Sequence, residues 1–178
     1  MPIPSQIGAK LSAIKLLVLD FDGVMTDNAV LVTEDGKEAV LCNRSDGLGI
    51  GMLKESGLAI VVLSAEENPV VAARCRKLKL ECTHGHKIKL PVLEKLLADK
   101  GVKPSEAAYV GNDVNDAACL RHVGVAIVVA DAHEAVKPFA HAITTKVGGK
   151  GAVREIADWF LEARGADPYG VNTGSPAR

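Results

Sequence analysis

Residues 14–19, Ile-Lys-Leu-Leu-Val-Leu, are apolar apart from Lys15 and stop abruptly at Asp20-Phe21-Asp22-Gly23. A short, nearly continuous apolar run entering a tight turn is the pattern of a parallel strand covered on both faces, here over Lys15 to Asp20. In open α/β sheets the active site lies just beyond the carboxyl ends of such strands. Two carboxylates two residues apart therefore emerge there together, as a nucleophile and an acid would. Gly23 lets the backbone leave strand geometry, so Asp20 and Asp22 need not point to opposite faces. Alone, the segment also reads as a surface Asp-Gly turn, and the rest of the chain has to decide.

Downstream, two β-rich runs, Ala29 to Thr33 and Glu38 to Cys42, flank Glu34-Asp35-Gly36-Lys37, which signals a hairpin inserted over 28–43. Its sides are apolar at nearly every residue, so both faces are expected to be covered by protein, for instance by a neighbouring subunit. A helix from about Asp46 to Ser56 ends at Gly57, and a second strand follows over Ala59 to Ser64. Asn68 as N-cap and Pro69 at the first helical position open the next helix, which turns Val71, Cys75 and Leu78 inward. Leu90 to Lys100 is a further helix stopped by Gly101. Ala107 to Gly111 is a third strand, leading through Asn112-Asp113-Val114-Asn115-Asp116 into a helix that ends at His122. Val125 to Val129 and a short Ala142 to Thr145 are the remaining strands, and Gly151 to Arg164 closes with Val153, Ile156, Phe160 and Leu161 inward. Alternation of this kind predicts an α/β fold with a doubly wound parallel sheet.

The 178 residues, 48% of them hydrophobic, suffice for one domain, assigned to 1–165, with a Gly- and Pro-rich tail over 166–178 expected to be flexible. A formal charge of −1 without a basic block offers nothing to a nucleic-acid backbone. Cys42, Cys75, Cys82 and Cys119 lack the spacing of a zinc site or a disulfide framework, which suits a reducing cytoplasm. Met1 to Leu11 has no signal-peptide profile, and Val123 to Ala130, the longest apolar run, is too short to span a bilayer. No membrane partner is expected.

Four polar signals sit beyond predicted strands or in a strand-to-helix loop: Asp20 with Asp22, Ser64, Lys89, and Asn112-Asp113 with Asp116. Singly, a Ser caps a helix, a Lys is a solvated charge and an Asn-Asp loop is a turn. Together they gather at one sheet edge. Their order and spacing over about 15–155 resemble the four motifs of the haloacid dehalogenase superfamily of phosphatases. That resemblance implies a HAD-like Rossmannoid fold in which Asp20 attacks phosphorus to form an aspartyl-phosphate and Asp22 serves as acid and then base. Ser64 and Lys89 would hold phosphoryl oxygens. It also implies Mg2+ on the Asp20 carboxylate, the Asp22 main-chain carbonyl and the first residue after strand three. Family members often have Gly-Asp-Asp there, whereas this chain has Gly111-Asn112-Asp113. Either Asn112 ligates through its amide oxygen or Asp113 takes its place, and a site short of one charge should bind magnesium more weakly. Asp116 would orient Lys89 or a water on the metal.

With the hairpin as the only insert, the chain looks like the capless branch. That branch holds 3-deoxy-D-manno-octulosonate 8-phosphate phosphatases, nonulosonate 9-phosphate phosphatases and the carboxy-terminal domain of acylneuraminate cytidylyltransferases, proteins involved in sialic acid or octulosonate metabolism. Asn43-Arg44-Ser45-Asp46-Gly47 and Gly148-Gly149-Lys150-Gly151-Ala152-Val153-Arg154-Glu155 carry the match further. Octulosonate phosphatases usually have Thr-Gly-Arg where this chain has Ser64-Ala65-Glu66, and the Glu resembles the nonulosonate members. The resemblance implies a homotetramer acting on a phosphorylated acidic keto sugar, the nonulosonate 9-phosphate type first and the octulosonate 8-phosphate second. Glu66 would accept sugar hydroxyls, while Arg74 and Lys77, one helical turn apart, present cations to a carboxylate. A solvated basic face is the alternative reading of that pair, since Arg76 and Lys79 adjoin it. At the level of the whole chain the alternative is a catalytically weak tetramerisation domain. A phospho-accepting receiver would place its aspartate on the third strand, which argues against that class.

Overall fold

A computed structural model describes residues 2–166. The first helix, α1 (Gly8–Leu11), precedes β1 (Leu16–Leu19), whose four residues are all buried. The hairpin β2 (Leu31–Val32) and β3 (Glu38–Ala39) comes next, antiparallel, with an isolated bridge between Thr26 and Cys42 at its base. Then follow α2 (Arg44–Glu55), β4 (Ala59–Leu63), α3 (Val70–Leu78), β5 (Glu81–Thr83), α4 (Leu90–Lys100) and β6 (Ala107–Gly111). The described residues continue through α5 (Ala117–His122), β7 (Val125–Val128), β8 (Ala142–Ile143) and α6 (Ala152–Ala163).

Six strands form one sheet in the order β5-β4-β1-β6-β7-β8, every pair parallel. Leu19 lies level with Val62 on one side and Val110 on the other, so the ends of β1, β4 and β6 come out together. The chain winds outward from β1 through β4 to β5, then crosses to β6 and winds the other way. Right-handed crossovers put α2 and α3 on one face and α4 and α5 on the opposite one. α6 packs against α2 and α1, and α4 against α5, as that winding requires. The reversal of direction falls beside β1, where doubly wound sheets open a crevice.

Local chemistry accounts for the element ends. The Asn43 side chain accepts from the Ser45 N–H at 2.8 Å to start α2, and Asn68 Oδ1 accepts from the Val70 N–H at 3.0 Å to start α3. The first turn of α2 meets the first turn of α6: Asp46 Oδ1 accepts from the Arg154 N–H at 2.8 Å. Glu155, also buried, accepts from the Thr145 and Lys146 amides. These two segments are thus fold determinants.

Three differences from the sequence-based expectation have physical causes. β5 was not anticipated, because three residues beginning with a charged one carry no period and become a strand only by pairing with Val61–Leu63. α1 was likewise unread; it is one turn long. The hairpin ladder is two residues per strand, shorter than the runs 29–33 and 38–42 suggested. In the single chain its faces are bare: Leu31 is 66% exposed and Leu41 71%. The tail expected over 166–178 lies, from residue 167 on, outside the described residues. No helix among the described residues is long and apolar enough to cross a membrane.

Candidate active site

Asp20 begins where β1 ends, and its N–H still donates to the Val110 carbonyl at 2.9 Å, so the residue sits on the sheet's rim. Its Oδ1 accepts from its neighbour's amide, Phe21 N–H, at 2.7 Å and from Lys89 Nζ at 2.8 Å. Lys89 precedes α4 and is wholly buried, one of the largest fully enclosed side chains in the protein. Its ammonium lies between Asp20 and Asp116, 2.8 Å from each. Asp116 is fully buried and collects four donors: Lys89 Nζ, the Tyr109 hydroxyl at 2.7 Å, and the amides of Asn112 at 2.8 Å and Asp113 at 3.3 Å. Asp116 therefore ties the ends of β6 and the 84–89 loop to one carboxyl.

Glycine is required at two points of this frame. Gly23 has φ +73°, and a Cβ there would overlap the Asn112 side chain, so only glycine lets the two loops touch. At Gly111 a Cβ would strike the Asp116 carboxyl.

Two carboxylates share one buried ammonium, a local charge of −1. Burial first, then the charge of Asp116, raise the Asp20 carboxyl to about 7, with Lys89 opposing. Lys89 is held above its usual value: burial pulls it down, but Asp20 and Asp116 outweigh that. Asp22, half-buried, is also raised, chiefly by burial and then by Glu66.

Asp20, Asp22, Ser64, Glu66, Asn112 and Asp113 line one cavity of about 390 Å3, so six of the residues singled out in the sequence converge. The buried Ser64 hydroxyl accepts from the Glu66 N–H at 3.1 Å, while Glu66 Oε1 accepts from the Asn68 N–H at 2.7 Å. A second cavity of about 250 Å3 shares Asp22, Asn28 and Glu66 and is walled by Val30, Glu38, Val40 and Val70. Asn68 Nδ2 donates to Glu38 Oε2 at 3.0 Å, tying the hairpin to the loop after β4. Arg74 and Lys77 do not line the main cavity. Arg74 donates to the Asn43 carbonyl at 3.1 Å, and Lys77 is exposed on α3.

Sequence reasoning missed Tyr109, Thr26, Asn28 and Lys87. Tyr109 holds Asp116, and Thr26 Oγ1 accepts from the amides of Gly23 and Asn28, shaping the turn after β1. Asn28 and Lys87 line the cavity. A tyrosine in so aromatic-poor a chain was a usable signal; the other three depend on loop geometry.

The described residues contain no group of three His, Cys, Asp or Glu side chains placed to hold a metal. A cation here would need a mixed set, the Asp20 carboxylate with Asn112 or Asp113 and a main-chain carbonyl. Hard oxygen donors in an acidic recess fit a small divalent cation that keeps some of its waters. Burial raises Asp20 first and the charge of Asp116 second, and that second part is what such an ion would neutralise.

The haloacid dehalogenase-like hydrolase family matches residues 63–156. The chain is similar to 3-deoxy-D-manno-octulosonate 8-phosphate phosphatase of Escherichia coli K12, 35% identical over 167 residues, covering 92% of this chain and 88% of the relative. Among solved structures, a HAD family hydrolase from Streptomyces avermitilis is 48% identical with a TM-score of 0.84, covering 90% of this chain and 89% of that one. The octulosonate 8-phosphate phosphatase of Moraxella catarrhalis, solved with magnesium, phosphate and the octulosonate sugar, is 32% identical with a TM-score of 0.87, covering 90% and 92%.

Proposed function

The chain belongs to the haloacid dehalogenase-like hydrolases, and on that premise we propose that it is a magnesium-dependent phosphomonoesterase for a phosphorylated acidic keto sugar. The observation that carries this reading is the meeting of Asp20, Ser64 and Asn112 in one cavity at the ends of β1, β4 and β6, with Lys89 buried behind.

Asp20 Oδ1 is engaged by Lys89 and Phe21 N–H, which leaves Oδ2 to attack phosphorus. As the Asp20–phosphorus bond forms, the bond to the sugar oxygen breaks, and Asp22 gives its proton to the departing alkoxide. A carboxyl raised by burial holds its proton to higher pH than a free one, which favours that task. Asp22 then takes a proton from water, the water oxygen bonds to phosphorus, and the aspartyl-phosphate opens to free phosphate and the Asp20 carboxylate. Ser64 Oγ donates to a phosphoryl oxygen, and Lys89 stabilises the charge passing through Asp20. Magnesium, held by Asp20, the Asp22 main-chain carbonyl and Asn112 or Asp113, supplies positive charge that lets two anions approach.

The octulosonate 8-phosphate is the first substrate to test, because relatives of this similarity carry that name. Glu66 in the cavity keeps the nonulosonate 9-phosphate as the second reading. A panel of sugar phosphates with added magnesium tests the proposal, with Asp20→Asn as control. Phosphate release by wild type above the control is expected, and equal release across the panel would overturn it.

The bare apolar hairpin supports a homotetramer, with the recess of about 360 Å3 among Val30, Leu31, Val40 and Leu41 covered by a second copy. Sedimentation of wild type against Leu31→Glu tests this. Four free thiols suit the cytoplasm. Asn112 favours one competing reading, a weakly catalytic assembly domain: Asn112→Asp creating activity absent from wild type would select it.

A further inference from the structure

The 84–89 loop carries two lysines with opposite fates. Lys89 turns inward, its charge spent on Asp20 and Asp116. Lys87 is exposed and lines the mouth of the same cavity. Its position is fixed by the backbone around it: Gly85 N–H donates to the Glu66 carbonyl at 2.9 Å and His86 N–H to the Ser64 carbonyl at 3.3 Å. The backbone at Lys87 is therefore held to the loop that carries Ser64 and Glu66, and these bonds do not involve the hairpin.

The charges around the cavity make this lysine consequential. Asp20, Asp22, Glu66 and Asp113 are acidic lining residues, and Lys87 is the one basic residue lining the cavity among those described. Among the described residues it has no ion-pair partner. A phosphorylated sugar acid brings a second anion besides its phosphoryl group, and that carboxylate would enter an acidic recess. Arg74 and Lys77, the cations expected from helical phase, stand outside the cavity.

Resting on the phosphatase reading above, we propose that Lys87 is the specificity residue that accepts the substrate's carboxylate and so favours acidic over uncharged phosphate esters. The ammonium donates to the carboxylate while the phosphoryl group reaches Asp20 deeper in the same cavity. Its long stem allows sugar acids of differing length to be met by one group.

The test compares kcat/KM for 3-deoxy-D-manno-octulosonate 8-phosphate with that for p-nitrophenyl phosphate in wild type, Lys87→Met and Lys87→Arg, with magnesium saturating. In Lys87→Met the ratio of acid ester to neutral ester should fall at least about fivefold, mainly through KM of the acid ester, and Lys87→Arg should recover most of it. Raising salt should lift KM of the acid ester more in wild type than in Lys87→Met. An unchanged ratio in Lys87→Met overturns the assignment while leaving the phosphatase reading standing. A wild type that cleaves neither ester removes the phosphatase reading, and the assignment with it.

Discussion

Replacing Asp20 by Asn should make the metal-free protein more stable. In wild type the buried cluster holds two carboxylates and one ammonium, and the Asp20 carboxyl is raised from 3.8 to about 7. A carboxyl that holds its proton more tightly folded than unfolded costs nothing well below pH 3.8, costs more as pH climbs towards about 7, and costs the full amount above it. At about 1.4 kcal/mol per pH unit, that interval from 3.8 to about 7 amounts to roughly 4 kcal/mol. Asparagine keeps the shape and the Oδ1 that accepts from Lys89 and Phe21, but never ionises. The variant should therefore gain about 2–4 kcal/mol near pH 8 in chelator, a rise of roughly 5–15 °C in melting temperature for a chain of this size. Near pH 5 the gain should shrink to about half or less, since there the wild-type carboxyl is largely protonated in the fold. Magnesium should close the gap from the other side, because it binds folded wild type better than the variant. Thermal melts at the two pH values, with and without magnesium, read all of this. An Asn variant that melts at or below wild type at pH 8 in chelator, or a gap that widens towards pH 5, would refute the reasoning.

Asn112→Asp restores a charge to the acidic recess and should lower the magnesium concentration for half-maximal phosphate release about tenfold, the effect of roughly 1.4 kcal/mol. Tyr109→Phe deletes one of the four donors to Asp116 and should cost about 1 kcal/mol in urea denaturation. The Cys75 thiol donates to Cys82 and lowers it to about 7, whereas burial raises Cys42 and Cys119. Limiting iodoacetamide at neutral pH should accordingly alkylate Cys82 ahead of those two, as peptide mass spectrometry would report.

The sequence was most legible where local chemistry decides alone. Helix Leu90–Lys100, ended by Gly101, and strand Ala107–Gly111, an apolar run, match the expectation to the residue. Glu81–Thr83 was illegible because its strand character comes from pairing with Val61–Leu63, a partner the local residues do not announce. The site divides along the same line. Asp20, Ser64 and Asn112 follow strand ends, so strand prediction brought them together. Arg74 and Lys77 were placed by helical phase, which says that two residues share a face and not what that face looks at; Arg74 turned to the Asn43 carbonyl. Lys87 gave no signal, since only the bonds from Gly85 and His86 to the Ser64 loop bring it to the cavity.

The hairpin wall has a consequence for how such a protein can change. Its crest, from Asn28 to Leu41, adds nothing to the fully enclosed interior, yet Val30, Glu38 and Val40 border the second cavity and Glu38 grips Asn68. Substitutions on that crest open no cavity in the enclosed interior of the single chain, while they alter what the recess admits. A lineage could therefore exchange that short segment for another and acquire a new diet of esters, the hydrolytic engine beneath remaining untouched.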